Sequence, residues 1–208
     1  MTNFAQQLSA AAADGPDHPA VKLDDLVLSY GLLNAGAARA AGLLASKGVG
    51  EGDRVGMQLP NVPYFPIVYF GALRLGAIVV PMNPLLKDRE VAYHLSDSGA
   101  KVMIGWHQFA DAGQKGSEQA GSECILVTPG EFEKLLADSE EVDAVTERKD
   151  DDAAVIIYTS GTTGTPKGAT LTHANLNSGA EVARDLVGAG PDWVTLVTLP
   201  LFHVFGMN

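Results

Sequence analysis

Eleven consecutive residues, Tyr158-Thr159-Ser160-Gly161-Thr162-Thr163-Gly164-Thr165-Pro166-Lys167-Gly168, combine hydroxyls, three glycines and a lysine directly after the apolar run Ala153 to Ile157. Glycines let a backbone fold tightly and approach a ligand without interference from Cβ. Hydroxyls and exposed backbone N–H groups coordinate phosphate oxygens, and Lys167 adds a mobile positive charge. The chemistry these residue types suit is the binding of a polyphosphate. A blander account is a Gly/Thr-rich hairpin turn between strands Ala153–Tyr158 and Gly168–Thr172. It explains the glycines, but not so many hydroxyls beside a lysine.

The spacing is not that of the Walker loop, because only two residues separate Gly161 from Gly164 and a glycine follows the lysine. The string resembles the signature loop of the adenylate-forming (AMP-binding) superfamily, which holds acyl-CoA synthetases, luciferases and peptide-synthetase adenylation domains. Two further stretches resemble the same superfamily in the expected order. Leu199-Pro200-Leu201-Phe202-His203-Val204-Phe205-Gly206 is similar to the segment that places a histidine at the acyl end of the site. Tyr69 to Pro84 is similar to an earlier, mainly structural motif, and Asp151-Asp152-Ala153-Ala154 also fits.

The resemblance implies a reaction. A carboxylic acid attacks the α-phosphorus of ATP, pyrophosphate leaves, and coenzyme A then displaces AMP from the acyl-adenylate to give a thioester. It implies that Thr159, Ser160, Gly161, Thr162, Thr163, Gly164, Thr165, Pro166 and Lys167 hold the phosphates, with Thr159 also touching Mg²⁺. Lys167 would steady the leaving pyrophosphate, and His203 would line the junction of acyl carboxylate and α-phosphate. Phe202-His203 stands where amino-acid-activating domains carry a Phe-Asp pair, so the chain is most like a fatty-acid–CoA ligase. Aryl-CoA ligases of the coumarate type share the Phe-His pattern and are the alternative. Absent are the family's later Tyr-Gly-x-Thr-Glu and Thr-Gly-Asp segments, the hinge and the small C-terminal domain with its catalytic lysine. The expectation is a partial N-terminal AMP-binding domain over 1–208, with ligase activity in the full-length enzyme. The fragment alone is expected to be inactive, or to act as a nucleotide-binding piece.

Bulk properties narrow the partners. The net charge of −11 disfavours nucleic acid, whose phosphate backbone needs a basic surface. Glu131 to Asp152 holds ten acidic and three basic residues, −7 of that charge, and reads as a solvated helix and linker. Cys124 is the only cysteine, which excludes an intrachain disulfide and favours a reducing, cytoplasmic setting. It falls in a strand pattern and is not read as a nucleophile. The N-terminus carries no secretory pattern. Tyr64 to Pro81 is apolar apart from Arg74, but Pro66, Gly71 and Gly76 interrupt it, so a buried helix and strand are expected rather than a membrane span. Peripheral membrane association stays open, and oligomeric state is not encoded legibly.

The elements that must position these residues alternate. Helix Asn3–Ala13 precedes a hairpin turning at Asp24-Asp25, and an amphipathic helix containing Leu32 to Leu44 ends at Gly48. There follow strand Arg54–Leu59, helix Val62–Leu75, strand Ala77–Val80, helix Asp88–Ser98 and strand Lys101–Ile104. A short helix near Gln108–Gln114, strand Cys124–Val127, helix Glu131–Leu136 and strand Ala153–Ile157 come next. A helix capped by Thr172 and strand Val194–Leu199 complete the pattern. Strands alternating with helices predict a layered α/β fold of parallel βαβ units. His18, His94, His107 and His173 are read as structural, and Tyr64, Phe65, Tyr69 and Phe70 as core.

Overall fold

The computed structural model describes residues 2–159, 164–190 and 193–207. In chain order the elements are α1 (Ala5–Asp14), β1 (Pro19–Leu23), β2 (Leu26–Ser29), α2 (Tyr30–Ser46), β3 (Arg54–Gln58), α3 (Tyr64–Arg74), β4 (Ile78–Pro81), α4 (Asp88–Ser98) and β5 (Ala100–Trp106). A 3₁₀ turn then leads into α5 (Ala110–Ala120), β6 (Glu123–Val127), α6 (Phe132–Ala137), β7 (Ala153–Thr159), β8 (Lys167–Thr172), α7 (His173–Val187) and α8 (Val204–Met207). The alternation of strand and helix is therefore realised. The helix expected near Gln108–Gln114 runs on to Ala120, because Gly113 and Ser117 lie buried against Met103 of β5 and Gly116 against Val91 of α4.

Six strands form one sheet in the order β6-β5-β3-β4-β7-β8, and β1 and β2 make a separate antiparallel hairpin. The pairs β6–β5, β5–β3, β3–β4 and β4–β7 are parallel. Only β8 reverses, pairing antiparallel with β7. Central strands of such a sheet are covered on both faces and so read as apolar runs. β5 shows the period of two directly: Val102 and Ile104 join the larger core with α1, α2 and α3, while Met103 joins Val91 and Leu95 of α4. Tyr69 and Phe65 lie in that larger core, with Tyr64 and Phe70 packed against it, as expected of the aromatic cluster.

Two local differences from the sequence reading have physical causes. The acidic stretch after α6 keeps most of its charged side chains exposed, as expected, but its backbone is tied down rather than free. Val142 N donates to Ala38 O (3.1 Å), and Thr146 N donates to Arg74 O (2.9 Å), which straps it across α2 and α3. Arg74, only 2 % exposed, holds it there. Its Nη1 donates to Val142 O (3.2 Å) and Asp143 O (2.8 Å), and its Nη2 donates to Ser9 Oγ (3.3 Å) and to Asn34 Oδ1. A buried cation costs several kcal/mol unless its donors find acceptors; the strap's carbonyls take Nη1, Ser9 and Asn34 take Nη2, and Nε is left without a partner among the described residues.

The second difference is at Val194–Leu199, which forms no strand among the described residues. Val194 is 93 % and Leu196 85 % exposed. Alternating β-branched and leucine residues specify a preference for burial, but a strand needs a neighbour to take its N–H and C=O groups. No described residue pairs with this run as a strand. A single helical turn, Val204–Met207, follows where no capped helix was expected. No helix among the described residues is long and apolar enough to cross a membrane.

Replacing Arg74 by alanine leaves carbonyls of the strap without their donor. We expect a loss of roughly 3 kcal/mol in denaturant unfolding, with Arg74→Lys intermediate because one ammonium cannot serve four acceptors.

Candidate functional site

The phosphate-type loop sits on a hairpin. β7 and β8 pair along Ile157↔Ala169, Tyr158↔Gly168 and Thr159↔Lys167, and the last of these rungs brings Thr159 and Lys167 side by side at the loop mouth. Directly opposed residues on antiparallel strands project to the same face. Both are exposed, as are Gly164 and Thr165. Gly164 has φ +84°, a left-handed conformation that glycine adopts without strain. Ser160, Gly161, Thr162 and Thr163 lie outside the described residues. The hairpin expected as the blander account is thus present, and it is the means by which a hydroxyl and a lysine are placed together.

The loop stands at the carboxyl edge of a sheet whose connections diverge. The chain leaves β3 through α3, which packs with α1 and α2, while β4 and β5 continue through α4 and α5, which pack with each other. Open α/β sheets bind ligands outside the carboxyl ends of their strands, where connections part in this way.

Three residues that sequence reasoning passed over hold the site's segments. Tyr158 Oη donates to Asp97 Oδ2 (2.6 Å), and Tyr93 Oη donates to Pro166 O (2.9 Å), so α4 touches both arms of the hairpin. The His94 ring stacks on Tyr158 with centroids 4.2 Å apart and planes at 16°. Burial holds His94 below its usual range, against the opposing charges of Glu90 and Asp97. Burial first, then the Asp97 carboxylate, pushes the Tyr158 phenol above its usual range. Asn61, in the loop after β3, grips the segment ahead of His203. Its Nδ2 donates to Leu199 O (2.9 Å), and its Oδ1 accepts from Leu201 N (2.8 Å). The only signal for these roles was a tyrosine and an aspartate four residues apart on α4, and an asparagine just past a strand end. Neither says what it will meet 60 to 140 residues away.

His203 is exposed, and its N–H closes a turn on Pro200 O (3.0 Å). Its segment is hydrogen-bonded to Asn61 through Leu199 O and Leu201 N. Thr159 and Lys167 are brought together; His203 is placed by a different element. Among the described residues no cluster of three or more His, Cys, Asp or Glu could hold a metal ion. Cys124 is half-buried, and burial raises its thiol, opposed by Ser117, which agrees with the reading that it is no nucleophile.

The sequence profile of the AMP-binding enzyme family matches residues 8–208. The chain belongs to that family. It is 35% identical over 187 residues to the long-chain-fatty-acid–CoA ligase FadD13 of Mycobacterium tuberculosis, an alignment of 88% of this chain and 37% of that protein. It is also 35% identical over 191 residues to 4-coumarate–CoA ligase 3 of Oryza sativa subsp. japonica, covering 86% and 34%. Among solved structures, a benzoate CoA ligase from Burkholderia xenovorans LB400 superposes with a TM-score of 0.91 at 28% identity, over 100% of this chain and 42% of that one. The N-terminal domain of FACL13 from Mycobacterium tuberculosis gives 0.85 at 32% identity, over 100% and 53%. The chain spans little more than a third of the length of the first curated relatives it matches. Its α/β architecture is that of the N-terminal part of an adenylate-forming CoA ligase.

His173 shows what a structural histidine of this family member does. It is buried at the start of α7, where its Nδ1 accepts from Phe4 N (3.1 Å) and ties the N-terminus to the hairpin's exit. Burial, reinforced by Arg148 and opposed by Asp152, lowers its pKa to about 4. The unfolded chain therefore binds the proton more readily, and the stability this neutral ring confers is complete above about pH 6.5 and falls away toward pH 4. Unfolding free energies measured across that window should decline by up to about 3 kcal/mol from this group. A His173→Gln variant, which keeps an acceptor but does not titrate, should flatten the slope.

Proposed function

We propose that this chain forms the phosphate-binding portion of an ATP-dependent acid–CoA ligase acting on a fatty acid. The observation that carries the reading is the Thr159↔Lys167 rung, which sets a hydroxyl and a cation at the mouth of a glycine- and hydroxyl-rich loop at the carboxyl edge of a parallel sheet. Family membership supplies the reaction class.

ATP enters as its magnesium complex, so the ion is part of the substrate. In this reading the Thr159 hydroxyl is the group of this chain that stands beside the ion. Adenylation brings two anions together and spreads charge over phosphoryl oxygens, so the protein's task is positioning and electrostatic stabilisation. Lys167 meets the charge that grows on the departing pyrophosphate. In this reading His203, on the segment bonded to Asn61, lines the junction of the acid's carboxylate and the α-phosphorus. Coenzyme A then takes the acyl group from AMP. A single half-buried cysteine accords with a reducing, cytoplasmic setting.

The similarity to FadD13 favours a fatty acid. The benzoate and 4-coumarate ligases among the relatives favour an aromatic acid as the second reading. Acid-dependent exchange of labelled pyrophosphate into ATP, run on a longer product of the same reading frame with aliphatic and aromatic acids, separates the two. Lys167→Ala should lower that exchange roughly 10- to 1,000-fold, the range expected when one donor to developing charge is removed. Exchange left untouched would sink the assigned role of Lys167. The 208-residue chain alone should give no acyl-CoA, and robust thioester formation by it would overturn that expectation.

A further inference from the structure

Pro166 has no N–H, so its carbonyl is the one backbone group by which the chain can be held just before Lys167. That carbonyl accepts from Tyr93 Oη at 2.9 Å. On the opposite arm, Tyr158 is the residue just before Thr159, and its hydroxyl donates to Asp97 Oδ2 at 2.6 Å. Thr159↔Lys167 is the last rung of the ladder, and residues 160–166 close the loop beyond it. Each half of that rung is therefore preceded by a residue anchored to α4. Tyr93 and Asp97 are four apart, which puts both on one face of that helix.

The glycine after the lysine belongs to the same arrangement. A Cβ on Gly168 would lie 2.8 Å from Ile156 Cγ2 and 3.4 Å from Tyr158 Cζ. A side chain there would press on Ile156 of the same hairpin and would reach ordinary contact with the Tyr158 ring. The ring is held from its other sides by His94, stacked at 4.2 Å, and by Tyr93, edge-on with centroids 6.1 Å apart.

We propose that Tyr93 and Asp97 are positioning residues that fix the two chain ends carrying Thr159 and Lys167 and so pre-set that hydroxyl and that cation for the phosphates. This rests on the reading of the loop as the phosphate site. Ordering contact groups on binding consumes part of the interaction free energy, and groups held beforehand avoid that loss. Neither residue touches the ligand in this account. Both act through the backbone directions of Thr159 and Lys167.

The test titrates the 208-residue chain with magnesium ATP by calorimetry and follows backbone hydrogen exchange over residues 159–168 without ligand. Tyr93→Phe keeps the ring and removes only the hydroxyl. It should weaken binding about 3- to 10-fold, the effect of losing one neutral hydrogen bond, and speed exchange at the loop while leaving Tm nearly unchanged. Asp97→Ala should do the same, and Asp97→Asn, whose amide oxygen still accepts from Tyr158, should restore most of the affinity. Unchanged affinity in Tyr93→Phe, with the parent binding normally, overturns the proposal and leaves the phosphate reading intact. So does a loss of affinity matched by a general fall in Tm that Asp97→Asn does not rescue. If the parent binds no magnesium ATP, or Lys167→Ala binds it equally well, the phosphate reading itself fails. The anchoring of the loop is then decided by exchange alone, and unaltered exchange in Tyr93→Phe refutes it.

Discussion

A buried guanidinium organises the half of this molecule on which the site's hairpin is mounted. Arg74 ends α3 and donates to α1 through Ser9, to α2 through Asn34 and to the strap through Val142 and Asp143. Burial pushes its pKa down from the usual value, and nearby Asp143 opposes the shift. It stays a useful cation only while those acceptors surround it, so three helices and the strap are held to one arrangement. The Asn3 side chain completes the junction by donating to Leu73 O and Thr146 O, both at 2.8 Å. The strap then runs directly into β7, the first arm of the loop.

From β7 outward the control passes to the other face of the sheet. Small, repeated requirements converge there: a tyrosine that must reach Asp97, a glycine where a side chain would press on Ile156, and a proline whose carbonyl Tyr93 takes up. The loop itself is rich in groups that bind phosphate, yet its direction is set by residues with no phosphate chemistry of their own. The histidine segment is arranged differently. One asparagine holds its backbone, Leu201, Phe202 and Val204 pack against the core, and the apolar run before it is largely exposed. A side-chain amide that offers one donor and one acceptor can stand in for a strand neighbour at a single point, but not along six residues.

Local patterns carried the regular elements. The apolar spacing of α2, the Thr172 cap of α7, accepting from Asn175 N (3.2 Å), and the continuous apolar strands β3 to β5 each depend on neighbours in sequence. Two stretches show where local pattern stops. For 131–152, charge density correctly suggested exposed side chains, but not that a distant arginine would take up its carbonyls. For 194–199, strand-like residues suggested a ladder, but the ladder depends on a partner. In both, the deciding contact lies far along the chain, where a local pattern holds no information.

By itself the sequence determined the layered α/β class, the chemical character of the 158–168 loop and the family to which the chain belongs. These follow from residue type and short spacing, which act through nearby backbone and side chains. Only the tertiary structure decided that Thr159 and Lys167 stand side by side, that Tyr93 and Asp97 bond to the chain ends carrying them, and that the segment of His203 is bonded to Asn61. Those pairings close over 60 to 140 residues. They exist because burial on the two faces of the sheet brings the elements together, and no local pattern encodes which distant groups will meet there.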